Sequence, residues 1–132
     1  MSTLKRIKVV AAIIHRDGKI LATQRAEGEY KDGWEFPGGK VEIGESLEQA
    51  IIREIQEELN LTINPIRVFH TVEYDYPTFH LSMTLFLCTI RGGVMKMNVH
   101  EGIKWCKQNE LASLEWLPAD VEVVNKLLSS SF

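Results

Sequence analysis

Residues Gly39 to Leu61 read GKVEIGESLEQAIIREIQEELNL, and they decide the fold. Ser46 followed by Gln49 three positions on forms a capping box, which predicts a helix beginning at about Leu47. Asn60 supplies a left-handed stop, with Pro65 beyond it. Within the helix Glu54, Glu57 and Glu58 are spaced i, i+3, i+4 and share one face, inside an arc of about 100°. Three carboxylates that close repel one another unless a cation sits among them, and hard oxygen donors suit Mg²⁺, Mn²⁺ or Ca²⁺ rather than zinc. The alternative is a solvated charged face. The helical wheel argues against it, because Glu58 falls about 40° from Glu54, within the sector of Leu47, Ile51 and Ile55. A carboxylate held against a core needs a partner or a metal. Gln49, Arg53 and Gln56 fall on the solvent side. Arg53, one turn before Glu57, is placed to orient that carboxylate. The preceding Phe36-Pro37-Gly38-Gly39 reads as a turn. A Gly carbonyl there can join the carboxylates as a ligand.

The surrounding chain reads as strands around this helix. Ile7 to His15 is an apolar, β-branched strand, Arg16-Asp17-Gly18-Lys19 a hairpin turn, and Lys19 to Gln24 the returning strand. Ala26 to Gly33 is a polar, mobile loop. Asn64-Pro65 is expected to break the chain before strands at Ile66 to Tyr76 and Phe79 to Arg91, with Arg91-Gly92-Gly93 as a turn. Gly102 to Lys107 is a short strand and Glu110 to Leu114 a helical turn. Pro118 opens a last helix with Val121, Val124, Leu127 and Leu128 at helical spacing. Ser129-Ser130-Ser131 reads as a frayed end. Strands before and after one helix, with another helix last, predict an α/β domain with a mixed sheet between helices.

Composition narrows the function. The chain has 132 residues, 45% of them hydrophobic, which suits one domain spanning 1–132. A net charge of −3 argues against a nucleic-acid polymer as partner. It leaves a triphosphate open, since a bound cation brings its own charge. Cys88 and Cys106 form no disulfide framework and read as core residues of a reduced, cytoplasmic compartment. Lys5-Arg6-Ile7-Lys8 and the apolar run after it lack a cleavage site, and no stretch is long enough to span a membrane.

The pattern Gly39, five residues, Glu45, seven residues, then Arg53-Glu54-Ile55-Gln56-Glu57-Glu58-Leu59-Asn60-Leu61 resembles the Nudix box, with Asn60 in place of the family's glycine. Thr23-Gln24-Arg25, Trp34 to Lys40, Val72 to Pro77 and His80-Leu81 resemble its MutT-type branch, over about Val9 to Leu127. The resemblance implies the Nudix α/β/α sandwich. It also implies a Mg²⁺-dependent hydrolase, with Mn²⁺ as a substitute. Such an enzyme would split a nucleoside triphosphate into monophosphate and pyrophosphate, sanitising modified nucleotides such as 8-oxo-dGTP. The metal ligands implied are Gly38, Glu54, Glu57, Glu58 and Glu101, with Arg53 as an orienting partner and Glu101 as a candidate base. The blander place for Glu101 is a loop in water. Substrate contacts are implied at Arg25, Glu35, Phe36, Pro37, Gly38 and Asp120, and one or two of Trp34, Phe36, Tyr74, Tyr76 and Phe79 are expected to meet a base.

Asp120 stands where 8-oxo-dGTP hydrolases place Asn and where CTP pyrophosphohydrolases of the branch place Asp. An ionised carboxylate only accepts, which favours the N4 amino group of cytosine over the O6 of guanine. A bland role, capping the last helix, stays open. Hydrolysis of CTP or a modified dCTP, a non-catalytic nucleotide-binding regulator, and other Nudix substrates such as ADP-ribose are the competing functions. His15, His70 and His80 read as structural, His100-Glu101 is no zinc motif, and the chain is expected to act as a monomer or homodimer.

Overall fold

The computed structural model describes residues 5–130; Ser131 of the expected frayed end lies outside them. Its elements in order are β1 (Lys5–Arg16), β2 (Lys19–Arg25), β3 (Trp34–Glu35), β4 (Gly38–Lys40), α1 (Leu47–Leu59), β5 (Leu61–Tyr76), β6 (Phe79–Gly93), β7 (His100–Lys107), a 3₁₀ turn (Gln108–Ser113) and α2 (Pro118–Leu128).

The sheet is organised by β1. It pairs in parallel with β6 from Lys5↔Phe79 to Ile14↔Cys88, and β6 pairs with β5 as an antiparallel hairpin. On its other side β1 meets β2 only at His15↔Ile20 and Arg16↔Lys19, across a turn whose Asp17 and Gly18 both have positive φ. β2 then leaves to pair with β3 and β7, and β4 takes the edge at Val9 to Ala11. Alternation along β1 splits the core. Val10, Ala12 and Ile14 face α1 through Ala50, Ile51, Ile55 and Leu59, whereas Ala11 and Ile13 belong with Val123, Val124 and Leu127 of α2. Helices therefore cover both faces of a mixed sheet, as the sequence predicts. Both cysteines are buried and free. No helix of the described residues is long and apolar enough to cross a membrane.

Four expectations are corrected. The break at Asn64-Pro65 does not occur, because β5 already starts at Leu61, with Leu61 and Ile63 buried. The missing N–H of Pro65 is absorbed by a register shift between Pro65 and Arg67. Gly92 and Gly93 continue β6 opposite Thr62 and Leu61 instead of turning. Part of the Phe36 to Gly39 turn is strand: Gly38 and Gly39 pair with Ala11 and Val10. In α2 the inner stripe is Ala119, Val123 and Leu127 with Asp120 and Val124, so Val121 and Leu128 face outward.

Candidate active site

The helix α1 forms as predicted. Ser46 Oγ accepts from Gln49 N at 3.0 Å, Gln49 Oε1 accepts from Ser46 N at 2.9 Å, and Asn60 closes the helix at φ 58°. The helix carries its carboxylates towards β4. Arg53 is the hub of this region rather than a solvated side chain. It donates to Glu45 at 2.7 and 2.9 Å, to Glu54 at 2.9 Å, to Glu57 at 3.3 Å and to the Lys40 carbonyl at 3.0 Å. The loop through Glu42 and Glu45 folds over it, which overturns its expected place on the solvent side. Arg53 in turn holds the Glu45 carboxyl below the usual carboxylate range, helped by the Glu42 backbone N–H.

Glu54 is kept close to β4 by the absence of a side chain opposite it. A Cβ on Gly39 would sit 2.4 Å from Glu54 Oε2. Glu54 and Glu58 are each 14% exposed at the side chain, and Glu57 is 59% exposed. Glu58 Oε1 is buried without a hydrogen-bond partner. Burial, then the neighbouring Glu54 charge, pushes the Glu58 carboxyl up to about 9, against a small opposing effect of the Gly38 backbone. Among the described residues no three acidic, histidine or cysteine side chains already converge on one point. Glu54 and Glu57 are turned onto Arg53 instead. The donor set still fits a hard divalent ion: anionic oxygens are crowded, one is orphaned, and the ionised form of Glu58 lacks a counter-charge.

Glu101 is not brought into this group. Its carboxylate lies 3.5 Å from Lys31 Nζ beside Asp32, on the loop after β2. Asp32 raises its pKa and Lys31 opposes the shift. A register shift explains its position: Gln24 lies opposite Gly102 and Arg25 opposite His100, which leaves Glu101 as the extra residue of a bulge.

Beside the box lies a cleft of about 370 Å³ lined by Arg25, Glu35, Phe36, Tyr76, Phe79 and Asp120, among others. Of the five candidate aromatics, Phe36, Tyr76 and Phe79 line it and Trp34 and Tyr74 do not. Tyr76 stacks on Phe79 with centroids 4.9 Å apart, and Phe36 stacks on Trp116 at 4.7 Å. Tyr30, unremarked in the sequence, also lines the cleft and stands 5.9 Å from Tyr76. Pro37 does not line it; its carbonyl accepts from Ala12 N at 2.8 Å and ties the turn to β1. Arg25 is less free than a phosphate ligand would be. Its Nε and Nη2 donate to the two oxygens of Glu35 at 3.1 and 2.8 Å, and its Nη1 to the Glu29 carbonyl at 3.1 Å.

Asp120 does not cap α2. Leu117 is the N-cap residue, no side chain caps the helix, and Asp120 lies on the inner stripe at 4% exposure. Its Oδ1 is buried and unpartnered. Burial, then the nearby Glu35, raises its pKa well above the usual carboxylate value, opposed by the Phe36 backbone N–H and Arg25. Burial weighs against its ionised form, and a protonated carboxyl donates as well as accepts.

A second, polar pocket of about 180 Å³ lies between the cleft and α1, lined by Arg25, Glu35, Gly38, Glu58, Val99 and His100. Arg25, Glu35 and Gly38 line both cavities. Nothing local marks His100, which has no ligand spacing and is carried to the site by the pairing of β7 with β2 and by the ties of the preceding residues to α1.

The chain is similar to known proteins over almost its whole length. The NUDIX domain model matches residues 4–127. A CTP pyrophosphohydrolase of Escherichia coli K12 is 34% identical, covering 96% of this chain and 94% of its own length. An 8-oxo-dGTP diphosphatase of Haemophilus influenzae is likewise 34% identical over 96% and 95%. The solution structure of the MutT protein of methicillin-resistant Staphylococcus aureus 252 superposes with a TM-score of 0.77 at 38% identity, covering 98% of this chain and all of that one.

Proposed function

The chain belongs to the Nudix family, whose hydrolases generally need a divalent metal, and on that premise we propose that it hydrolyses nucleoside triphosphates to monophosphate and pyrophosphate with Mg²⁺. The observation that carries this reading is that two cavities share Arg25, Glu35 and Gly38 in their linings. The first is lined by aromatic residues and Asp120, and the second by Glu58 of the box. A flat base in the first and an anionic polyphosphate tail towards the second match a nucleotide's two halves.

The residues divide the work. Tyr76, Phe79 and Phe36 give the base an apolar wall. Asp120 reads its edge. Arg25, steadied by Glu35, meets phosphate oxygens, which requires it to share or exchange that partner. Glu54, Glu57 and Glu58 with the Gly38 carbonyl would hold the divalent ion, and Arg53 keeps Glu54 and Glu57 oriented. The ion, when bound, neutralises phosphate oxygens and the leaving pyrophosphate and acidifies water. Glu101, on its bulge beside the polar pocket's His100, would take the proton of the attacking water once it is released from Lys31.

Base choice follows from Asp120. A neutral carboxyl presents a donor and an acceptor side by side, as an amide does. That pattern meets O6 and the protonated N7 of 8-oxoguanine, and equally N3 and the N4 amino group of cytosine. Sanitation of 8-oxo-dGTP is the leading reading, and the buried acid equally supports CTP or modified dCTP. The test is pyrophosphate release from 8-oxo-dGTP, dGTP, CTP, dCTP, 5-substituted dCTP and ADP-ribose, with Mg²⁺ and with EDTA. Metal-dependent release with a preference for 8-oxo-dGTP or a cytidine nucleotide is expected, and Asp120→Ala should flatten the ranking while Asp120→Asn retains it. No release from any nucleotide would leave only a binding domain.

A further inference from the structure

Two buried polar atoms without partners belong to residues lining the same small cavity: Glu58 Oε1 and His100 Nδ1. The His100 side chain is 7% exposed, and its Nε2 lies 3.7 Å from Glu58 Oε1. That is too long for a hydrogen bond, yet less than 1 Å of side-chain movement would make one. Nothing in the hydrolysis described above uses this histidine.

Its place is fixed from both sides. Ahead of it, the chain is fastened to the carbonyls that α1 leaves open at its end. Asn98 N donates to Glu58 O at 3.1 Å, Asn98 Nδ2 to Glu57 O at 2.9 Å and Lys96 N to Leu59 O at 2.9 Å. Behind it, the bulge at Glu101 sets His100 opposite Arg25 on β2. A residue tied to the helix that carries Glu58, buried and facing that carboxylate, is built to hold it.

We propose that His100 is the positioning residue for Glu58: its Nε2–H donates to Glu58 Oε1 in the working enzyme and leaves the other carboxylate oxygen to face the divalent ion. The inference rests on the reading of Glu58 as a metal ligand. A ligating carboxylate is itself usually hydrogen-bonded, and loss of such an outer partner lowers metal affinity or activity by roughly 10–100-fold.

The experiment measures Mn²⁺ binding to metal-free protein without substrate, from the electron paramagnetic resonance signal of the free ion. Thermal melts of each variant accompany it. His100→Phe keeps a ring and removes both nitrogens, and His100→Leu repeats the loss with a smaller side chain. His100→Gln puts an amide N–H near the position of Nε2. Both donor-free variants should bind Mn²⁺ roughly 10–100-fold more weakly, and His100→Gln should recover most of the loss. Wild-type affinity in the donor-free variants, or an equal loss in all three, overturns the role of His100. Glu58→Gln separates the two ideas. If it weakens Mn²⁺ binding and His100→Phe does not, only the histidine is dismissed; if it binds as wild type, Glu58 is no ligand and the proposal falls with it.

Discussion

Glu58→Gln should make the metal-free protein more stable while destroying its activity. In the folded chain the Glu58 carboxyl is pushed up to about 9, against an ordinary value of 4.5. The folded state therefore keeps a proton that the unfolded state releases. Stability from this group is complete below pH 4.5 and declines as pH rises towards 9. Between pH 4.5 and pH 7 the decline runs at about 1.4 kcal/mol per pH unit, so about 3 kcal/mol is lost at neutrality. At 14% exposure little of this is screened by water. Gln is neutral in both states and does not incur the loss. Urea melts in EDTA at pH 5, 7 and 8.5 test the argument. The variant should be the more stable at pH 7 by up to about 3 kcal/mol, and its advantage should widen with pH. Mg²⁺ should then raise the wild-type midpoint and leave the variant's in place. Pyrophosphate release should fall by orders of magnitude. A variant less stable than wild type at pH 7 in EDTA, or an advantage that is the same at pH 5 and 8.5, would refute the reasoning.

Gly38→Ala should be severely destabilising, because its Cβ would lie 2.0 Å from Val10 O and 2.7 Å from Ala11 Cα, backbone atoms that cannot swing aside. A loss of about 3 kcal/mol or more in a thermal melt is expected, whereas Gly92→Ala, with nothing within 4 Å, should melt as wild type does. Equal melting of the two variants would contradict the close-approach argument. Arg25→Lys keeps the charge but cannot form the two parallel bonds to Glu35. KM for the nucleotide should rise roughly tenfold, the worth of one charge-assisted hydrogen bond, and an unchanged KM would remove Arg25 from phosphate binding.

The helix that carries the box was legible from Ser46, Gln49 and Asn60, because caps are local chemistry. The burial of Glu58 was legible too, since it follows from helical period alone. What the chain did not show was long-range. Arg53 looked solvated because nothing local says that the Glu42 to Glu45 loop closes over it. Pro65 looked like a break because its compensating bulge depends on β6. The upward shift of Asp120 comes from its burial and from Glu35 of β3, neither of which the residue type shows. His100 and Glu58 are 42 positions apart (100 − 58) and are brought together by the bonds of Lys96 and Asn98 to α1 and by the pairing of β7 with β2. Glycine at 38 and 39 was read as angular freedom. Its reason is space: neither has positive φ, and both would clash if given a side chain.

The parallel pairing of β1 with β6 also governs how the molecule comes into being. Lys5 waits for Phe79, 74 positions later (79 − 5), and Lys19 of β2 waits for Lys107, 88 positions later (107 − 19). At a translation rate of about 5–20 residues per second, β1 waits about 4–15 s for its parallel partner β6. During that interval the apolar flanks at Ala11 and Ile13 and an open backbone edge are available to any other nascent chain. The edge of β1 is thus closed only when β6 has been made.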